Sequence, residues 1–242
     1  MSHIHINFEH VNYSYEKSVP ILQDITFTAH ENDSIGLIGA NGVGKSTLLK
    51  LLVGLNLDYE GSIRVEEMPV VKEMLPKVRE KIGYVFQDSD SQLFMSTVFE
   101  DVAFAPRNYG LPEEEVEKRA RHALKLVGMD EKFYKQSPFE LSGGQKRRVA
   151  IAGVLAMRPE MMILDEPTRG IDVGTKVEIQ KLVLQLAAEG KSVTFISSEI
   201  DEMLRVCSRL VVMRDRQVVG ELRGSDLNQS SIMKTIAGGE QA

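Results

Sequence analysis

Residues 39–47, with the sequence G-A-N-G-V-G-K-S-T, constrain the fold of this chain more than any other segment. They match the pattern G-x-x-x-x-G-K-[ST] of a phosphate-binding loop. The apolar residues 34–38 before it predict a buried strand, and residues 46–57 after it predict a helix. Glycines in such a loop let the backbone approach a phosphate, and the helix N-terminus directs unpaired N–H groups at the anion. The segment therefore predicts a nucleoside triphosphate site.

Two side chains of this loop have predicted chemical roles. Lys45 is expected to reach the β- and γ-phosphates, and Ser46 to offer its hydroxyl to Mg²⁺. A glycine-rich turn with a surface lysine is the alternative, but the full match to the pattern, in the correct local order, disfavours it. The predicted nucleotide-binding residues of the loop are Gly39, Asn41, Gly42, Val43, Gly44, Lys45, Ser46 and Thr47.

Composition narrows the function classes. The chain has 242 residues and a net charge of -6, which disfavours a dedicated nucleic-acid binder because such proteins carry a concentrated basic face. Its single cysteine, Cys207, excludes an intrachain disulfide, and we expect a packing role for it. We also expect that the chain neither enters nor spans a membrane by itself, because no apolar run approaches the length of a membrane span.

Strand and helix patterns alternate along the chain. Alternating apolar residues predict antiparallel strands before the loop, and residues 81–86 predict a buried strand that ends at Gln87. A strand at 161–164 delivers Asp165 and Glu166 at its carboxyl end, where open parallel sheets bind ligands. The later alternation of helices and strands predicts an α/β fold with a parallel sheet.

Four motifs in order carry a family resemblance. The loop, the strand ending in Gln87, L-S-G-G-Q at 141–145 and M-M-I-L-D-E at 161–166 resemble the nucleotide-binding domain of ABC transporters over essentially the whole chain. The resemblance implies one ABC ATPase domain (1–242). It would have a phosphate-loop (RecA-like) core at about 1–87 and 158–242, an N-terminal antiparallel β-subdomain and a helical insertion at about 88–157.

The resemblance also implies partners, cofactors and a location. The chain would bind ATP with Mg²⁺, pair with a second ABC ATPase subunit as a homo- or heterodimer, and serve an integral membrane transport subunit. It would lie at the cytoplasmic face of the cell membrane as a peripheral subunit.

The same resemblance assigns roles around the nucleotide. Asp165, with Ser46 and Gln87, would hold the metal, and Glu166 would orient or deprotonate the attacking water. Gln87 would also report occupancy of the site to the helical segment. Tyr15 matches the aromatic residue that stacks on the adenine, whereas Tyr13 matches less well and is the candidate for a packing role.

Part of the implied site serves another subunit. Leu141, Ser142, Gly143, Gly144 and Gln145, here called the signature segment, would cap the γ-phosphate of ATP bound to the second subunit. Asp172, in G-I-D, matches the loop that links the two sites. ATP would therefore be buried at a dimer interface.

The two halves of the chain resemble different transporter sub-families. Residues 82–94 and the helical region resemble the ATPases of energy-coupling-factor importers for vitamins or metal ions. The surface near Gln87 and Phe94 would then receive a helix of a membrane partner, unless these apolar residues belong to the core of the insertion. Residues 166–176, 196–203 and 233–239 instead resemble the second ATPase domain of sugar importers, which leaves the substrate open.

One expected residue is missing. ABC ATPases usually carry a histidine after the strand that follows the Asp-Glu pair, and here Ser198 takes that position. The histidines, His3, His5, His10, His30 and His122, all precede the signature segment. A serine cannot carry an imidazolium charge, so we expect slow hydrolysis at the chain's own site. The alternative function is a regulatory subunit that holds ATP with little turnover.

Overall fold

The computed structural model describes residues 4–16 and 19–238. In chain order the strands are β1 (Ile4–Glu16), β2 (Val19–His30), β3 (Ser34–Ile38), β4 (Glu60–Val65), β5 (Met68–Pro69), β6 (Ile82–Val85), β7 (Met161–Asp165), β8 (Ser192–Ile196), β9 (Arg209–Arg214) and β10 (Gln217–Arg223). The helices are α1 (Lys45–Leu52), α2 (Leu75–Lys81), α3 (Val98–Asn108), α4 (Glu113–Leu126), α5 (Gly143–Leu155), α6 (Val173–Ala188), α7 (Ile200–Val206) and α8 (Gln229–Ala237). His3 lies outside the described residues.

A six-stranded sheet forms the centre, in the order β10-β9-β3-β8-β7-β6. Its strands pair in parallel, except that β10 pairs antiparallel with β9 at the edge. Every residue of β3 and β7 is buried, because helices and the second sheet cover both faces. The order brings the carboxyl ends of β3, β6, β7 and β8 to one edge, which is where the predicted phosphate loop and the Asp165-Glu166 pair begin.

The second sheet is antiparallel, in the order β2-β1-β4-β5. Alternation places Phe8 and Phe27 on one face, where their rings stack at 4.8 Å between centroids. Phe8 packs with Leu48 and Leu52 of α1 in one core cluster, so this sheet holds the helix that follows the phosphate loop. The antiparallel strands before the loop were predicted from the alternation.

Helices α3, α4 and α5 form an insertion between β6 and β7. Val102, Val116, Ala120 and Val149 are fully buried where these helices pack together. Thr97 caps α3 by accepting a hydrogen bond from the N–H of Glu100, and Pro112 precedes the acidic first turn of α4. The insertion therefore has its own apolar centre, which continues into the core of the central sheet.

The predicted end of the helix after the phosphate loop is wrong. Helix α1 ends at Leu52 rather than at residue 57, because Gly54 takes a positive φ of 67° and stops the helix. Helix α5 begins at Gly143, where Ser142 caps it. No helix in residues 4–16 and 19–238 has both the length and the apolar character that a membrane span requires.

Candidate nucleotide-binding site

The phosphate loop is held in its shape by close packing at two glycines. A Cβ on Gly39 would lie 2.3 Å from the carbonyl oxygen of Met213, so only glycine fits there. Gly44 takes a φ of 110°, and a Cβ on it would lie 2.6 Å from Leu22 Cδ2 and 2.9 Å from Ile21 O. The loop backbone is therefore pressed against β2 and β9, and its remaining face lines an open cleft.

Lys45 places a buried cation at this loop. Its Nζ donates to the carbonyl oxygens of Gly39 at 2.7 Å and Ala40 at 3.1 Å. Burial lowers the pKa of Lys45, and the negative charges of Glu166 and Asp165 oppose this shift. A triphosphate in the cleft would offer this ammonium stronger acceptors than the two neutral carbonyls it now contacts.

Ser46 and Asp165 bring two oxygen ligands together across the sheet edge. Ser46 Oγ donates to Asp165 Oδ1 at 3.1 Å, and the hydroxyl of Tyr84 donates to Asp165 Oδ2 at 2.9 Å. Asp165 is 2% exposed. Burial, and secondarily the charge of Asp165, raises the pKa of Tyr84, so its hydroxyl stays protonated. Hydroxyl and carboxylate oxygens are the ligands that Mg²⁺ prefers, so these residues fit that ion.

Glu166 lies beside this pair in a strained backbone conformation. It takes a φ of 48°, in the left-handed region, and its N–H donates to Ile196 O at 3.1 Å. The carboxyl group is buried, yet it lines the cleft, where Arg169 Nη1 lies 3.6 Å from its Oε2. Strain of this kind is typical of functional positions, because surrounding contacts must hold it.

Gln87, Tyr15 and part of the loop complete the cleft. The residues that line it are Tyr15, Ile21, Asn41, Gly42, Gly44, Lys45, Ser46, Thr47, Gln87, Glu166 and Arg169. Tyr15 is 57% exposed, whereas Tyr13 is 8% exposed and contacts the Tyr15 ring edge-on. Tyr15 therefore offers a ring face to a ligand and Tyr13 does not. Gly39 and Val43 lie behind the cleft, with Val43 in the core.

The signature segment lies outside this cleft. Ser142 Oγ accepts from the N–H of Gln145 at 3.3 Å, and Gln145 Oε1 accepts from the N–H of Ser142 at 2.9 Å, which closes a capping box on α5. Ser142 and Gly143 are exposed, whereas Leu141 packs in the core. A Cβ on Gly144 would lie 2.8 Å from Thr175 Oγ1, so Gly144 allows α5 to approach α6.

Asp172 and Ser198 are not among the residues that line the cleft. Asp172 caps α6, since its carboxylate accepts from the N–H and the hydroxyl of Thr175 at 2.9 and 2.8 Å. Ser198 is exposed, just after β8. Its neighbour Ser197 is buried and donates to Glu202 Oε2 at 2.8 Å. Ser198 therefore has an exposed side chain after β8 and makes no part of the cleft lining.

Sequence reasoning missed Tyr84, Arg147 and Arg169. Tyr84 is one of the residues of β6 and could be assigned only once β6 is known to lie beside β7. Arg169 lies in the turn after Glu166. This turn is part of a family resemblance in the sequence, but no role was predicted for the arginine. Arg147 follows the signature segment in K-R-R, which is typical of a surface, yet it is 4% exposed.

One further group among the described residues has metal-ligand chemistry. His5, Glu66 and Glu160 place ligand atoms within 4.8 Å of one another. Lys81 Nζ lies 2.6 Å from Glu160 Oε1 and 3.4 Å from Glu66 Oε1, so one ammonium already pairs with both carboxylates. This group is accordingly an ion-pair cluster, at the opposite end of the strands from the cleft.

Comparison with known proteins decides the family. The model of the ABC transporter family matches residues 22–169, which include the phosphate loop, the signature segment and the Asp165-Glu166 pair. This chain belongs to the ABC transporter ATPases. The energy-coupling factor transporter ATP-binding protein EcfA2 of Lactococcus lactis subsp. lactis is 42% identical to it over 93% of this chain and 81% of the relative.

Solved ABC ATPase structures share the whole fold. The structure of cbiO1 from Clostridium perfringens, part of the ABC transporter complex cbiONQ, matches with a TM-score of 0.85 and 34% identity. It covers 99% of this chain and 96% of that one. A dimeric post-hydrolysis structure of the ATP-binding cassette MJ0796, bound to ADP and Pi, matches with a TM-score of 0.81 and 29% identity, over 90% and 98% of the chains. The predicted fold class and the predicted ATPase activity are therefore confirmed.

Proposed function

We propose that this ABC ATPase binds and hydrolyses ATP to drive an importer of the energy-coupling-factor type. In this proposal it lies at the cytoplasmic face of the cell membrane, bound to an integral membrane subunit and a second ATPase subunit. The observation that carries the proposal is the cleft in which Lys45, Ser46 and Glu166 meet, with Asp165 behind it. The relative named as an energy-coupling factor ATP-binding protein supports the transporter type.

Mg²⁺ in this proposal is held through Ser46 and Asp165, with Gln87 at the same edge of the cleft. Bound there, it would neutralise charge on the β- and γ-phosphates. Lys45 binds the same phosphates, and the glycines of the loop present N–H groups to them. Glu166 orients the attacking water and accepts its proton. Tyr15 stacks on the adenine through its exposed face.

The signature segment would complete the site of a second subunit. Its exposed Ser142 and Gly143 lie outside the chain's own cleft, which supports a role toward ATP held by another chain. ATP then joins two subunits, and hydrolysis releases them because the two states differ in affinity for the ligand. Asp172, at the start of α6, would communicate between the sites.

Ser198 supports slow ATP hydrolysis at the site that contains the chain's own Lys45. A serine lacks the imidazolium charge that would stabilise the transition state, and Ser198 does not line the cleft. The chain would thus hydrolyse slowly while lending Ser142 to Gln145 to a more active partner site. The same observation favours the second candidate function, a regulatory subunit that binds ATP with little turnover. Glu166 opposes this second function.

A tagged chain purified from membranes tests the proposal. We expect it to bring down an integral membrane subunit and a second ATPase subunit, and to hydrolyse ATP in the complex. Lys45→Ala should weaken ATP binding by about a hundredfold, because it removes one charge-assisted contact between a buried ammonium and the phosphates. Lys50→Ala, on the same helix, should leave ATP binding unchanged. A complex that carries a sugar-binding component would contradict the energy-coupling-factor type. A complex that binds ATP without turnover would favour the regulatory subunit.

A further inference from the structure

Residues 86–92, which contain Gln87, are fastened to α5 by side chains from both sides. We call residues 86–92 the linking segment. It follows β6 and lines the ATP cleft at Gln87. Helix α5 begins at the signature segment, so its first turns carry Ser142 to Gln145. The linking segment, which lines the chain's own ATP cleft, is thus attached to α5, which would contact the ATP of the second subunit.

Arg147 makes the central contact. Its guanidinium donates through Nη1 to Phe86 O at 2.6 Å and through Nη2 to Gln87 O, so it holds two consecutive carbonyl groups. Arg147 is 4% exposed, and burial lowers its pKa, opposed by the charges of Asp88 and Asp165. Burying a guanidinium against neutral carbonyls is costly, and its Nε has no hydrogen-bond partner among the described residues. Two bonds from one planar group fix the orientation of the Phe86–Gln87 peptide relative to α5.

Gln92 and Lys146 add to this connection. Gln92 Oε1 accepts from the N–H of Phe86 at 3.1 Å, and its Nε2 donates to Ala150 O in α5 at 3.0 Å. Lys146 Nζ donates to Asp90 Oδ1 at 2.7 Å, but Asp90 is exposed, so this pair contributes little. The linking segment and the first two turns of α5 are therefore expected to move as one body.

We infer that Arg147 is a positioning residue that couples the chain's own ATP cleft to its signature segment. A ligand that shifts Gln87 shifts the two carbonyls held by Arg147, and with them the N-terminal turns of α5. The state of one ATP site thereby sets the position of the group that caps the other. The inference rests on the proposed function, since it assumes that the signature segment serves a second subunit.

The test needs a chain that binds ATP but does not dimerise. A Cβ on Gly143 meets nothing within 4 Å, so Gly143→Asp should leave the fold intact. Its carboxylate would face the γ-phosphate of the partner's ATP and repel it. In this monomer a response of α5 to ATP and Mg²⁺ can come only from the chain's own site. Amide hydrogen exchange, measured separately for peptides covering 86–92 and 143–150, reports that response.

We compare Gly143→Asp alone with the same chain carrying Arg147→Lys or Arg148→Lys. Arg148 is the matched control, since it lies next on α5 and donates to Gly128 O and Glu178 Oε2 without contacting the linking segment. We expect ATP with Mg²⁺ to slow exchange in both peptides by about fivefold. Arg147→Lys should keep the slowing at 86–92 and lose at least half of it at 143–150. Arg148→Lys should keep both.

A response at 143–150 that survives Arg147→Lys would overturn the inference. So would a response confined to 86–92 in Gly143→Asp alone. No response in either peptide would overturn the proposed ATP site together with the inference, which distinguishes the two failures. If the Arg147→Lys chain does not fold, Gln92→Leu takes its place in the experiment. This change removes the second connection to α5, at the half-buried Gln92. We expect it to lose at least half of the slowing of exchange at 143–150.

Discussion

At the scale of single residues, the Asp165 carboxylate is held behind the cleft by two hydrogen bonds. One oxygen accepts from Ser46 and the other from Tyr84, so the carboxylate can rotate little. The Tyr84 hydroxyl has a raised pKa and remains a donor over the whole working pH range. A carboxylate fixed in this way is ready to bind a cation through the oxygen that faces Ser46.

Tyr84→Phe should therefore weaken Mg²⁺ binding by about tenfold, because a lost outer partner typically costs that much in metal affinity. ATP binding without Mg²⁺ should not change. The measurement is the Mg²⁺ concentration that gives half-maximal ATP turnover in the purified complex. Tyr109→Phe, at the exposed end of α3, is the control. An unchanged half-maximal concentration in Tyr84→Phe would show that Asp165 does not act toward the metal.

Ser198 permits a second prediction at this scale. Ser198→His places an imidazole after β8, where it can donate to a γ-phosphate, and should raise ATP turnover by about tenfold or more. Ser208→His, at an exposed serine directly before β9, serves as control. Steady-state turnover at saturating ATP measures the effect. Rapid turnover of the unaltered homodimer, many per second and unaffected by Ser198→Ala, would instead show that the site needs no group there.

At the scale of elements, the phosphate loop is shaped by the strand beneath it. Gly44 combines a φ of 110° with close contact to Leu22 and Ile21 of β2, whereas Gly42 has a φ of 81° and open space around it. The two glycines lie in the same motif, but glycine is required at each position for a different physical reason. Gly42 needs only its backbone conformation, and Gly44 needs the missing side chain as well.

Gly44→Ala should lower the free energy of unfolding by about 3 kcal/mol, from strain plus overpacking against β2. Gly42→Ala should lower it by about 1 kcal/mol, from backbone conformation alone. Urea unfolding without nucleotide separates these losses from any effect on ATP binding. Equal losses in the two variants would mean that the loop can move away from β2 at little cost.

Local signals made several elements predictable from the sequence. The start of α4 at Glu113 is marked by Pro112 and the acidic first turn, and its end by Gly128, which takes a φ of 68°. Helix α2 and strand β5 were not predicted, since each is short and carries little periodicity. Gly54 is a helix-ending signal that the sequence contains, but the apolar run through residue 57 led to the prediction of a longer helix.

The contacts of the site depend on which strands and helices lie next to each other, and local sequence patterns do not show this. Tyr84 meets Asp165 only because β6 pairs with β7, and Arg147 reaches Gln87 only because α5 packs against the end of β6. A charged residue in K-R-R has the same local pattern whether it is buried or exposed. The roles of the nineteen predicted site residues stay predictions, although the structure gathers nine of them, including Tyr15, along one cleft.

At the scale of the whole molecule, the proposed function requires the chain to present half of each of two sites. The cleft around Lys45 is open, and the signature segment lies outside it, at the start of α5. The insertion and the central sheet share one continuous apolar core, and Arg147 and Gln92 join the linking segment to α5, so both halves are held by one body. The account therefore requires a second subunit before ATP is enclosed.

The most direct test is the mass of Glu166→Gln in solution with ATP and Mg²⁺, measured by light scattering after gel filtration. This change removes the proton acceptor but keeps the size of the side chain, so ATP should bind without being hydrolysed. We predict a dimer of twice the 27.0 kDa of the chain with ATP, and a monomer with ADP. A Glu166→Gln chain that stays monomeric with ATP and Mg²⁺ would contradict the two-subunit site.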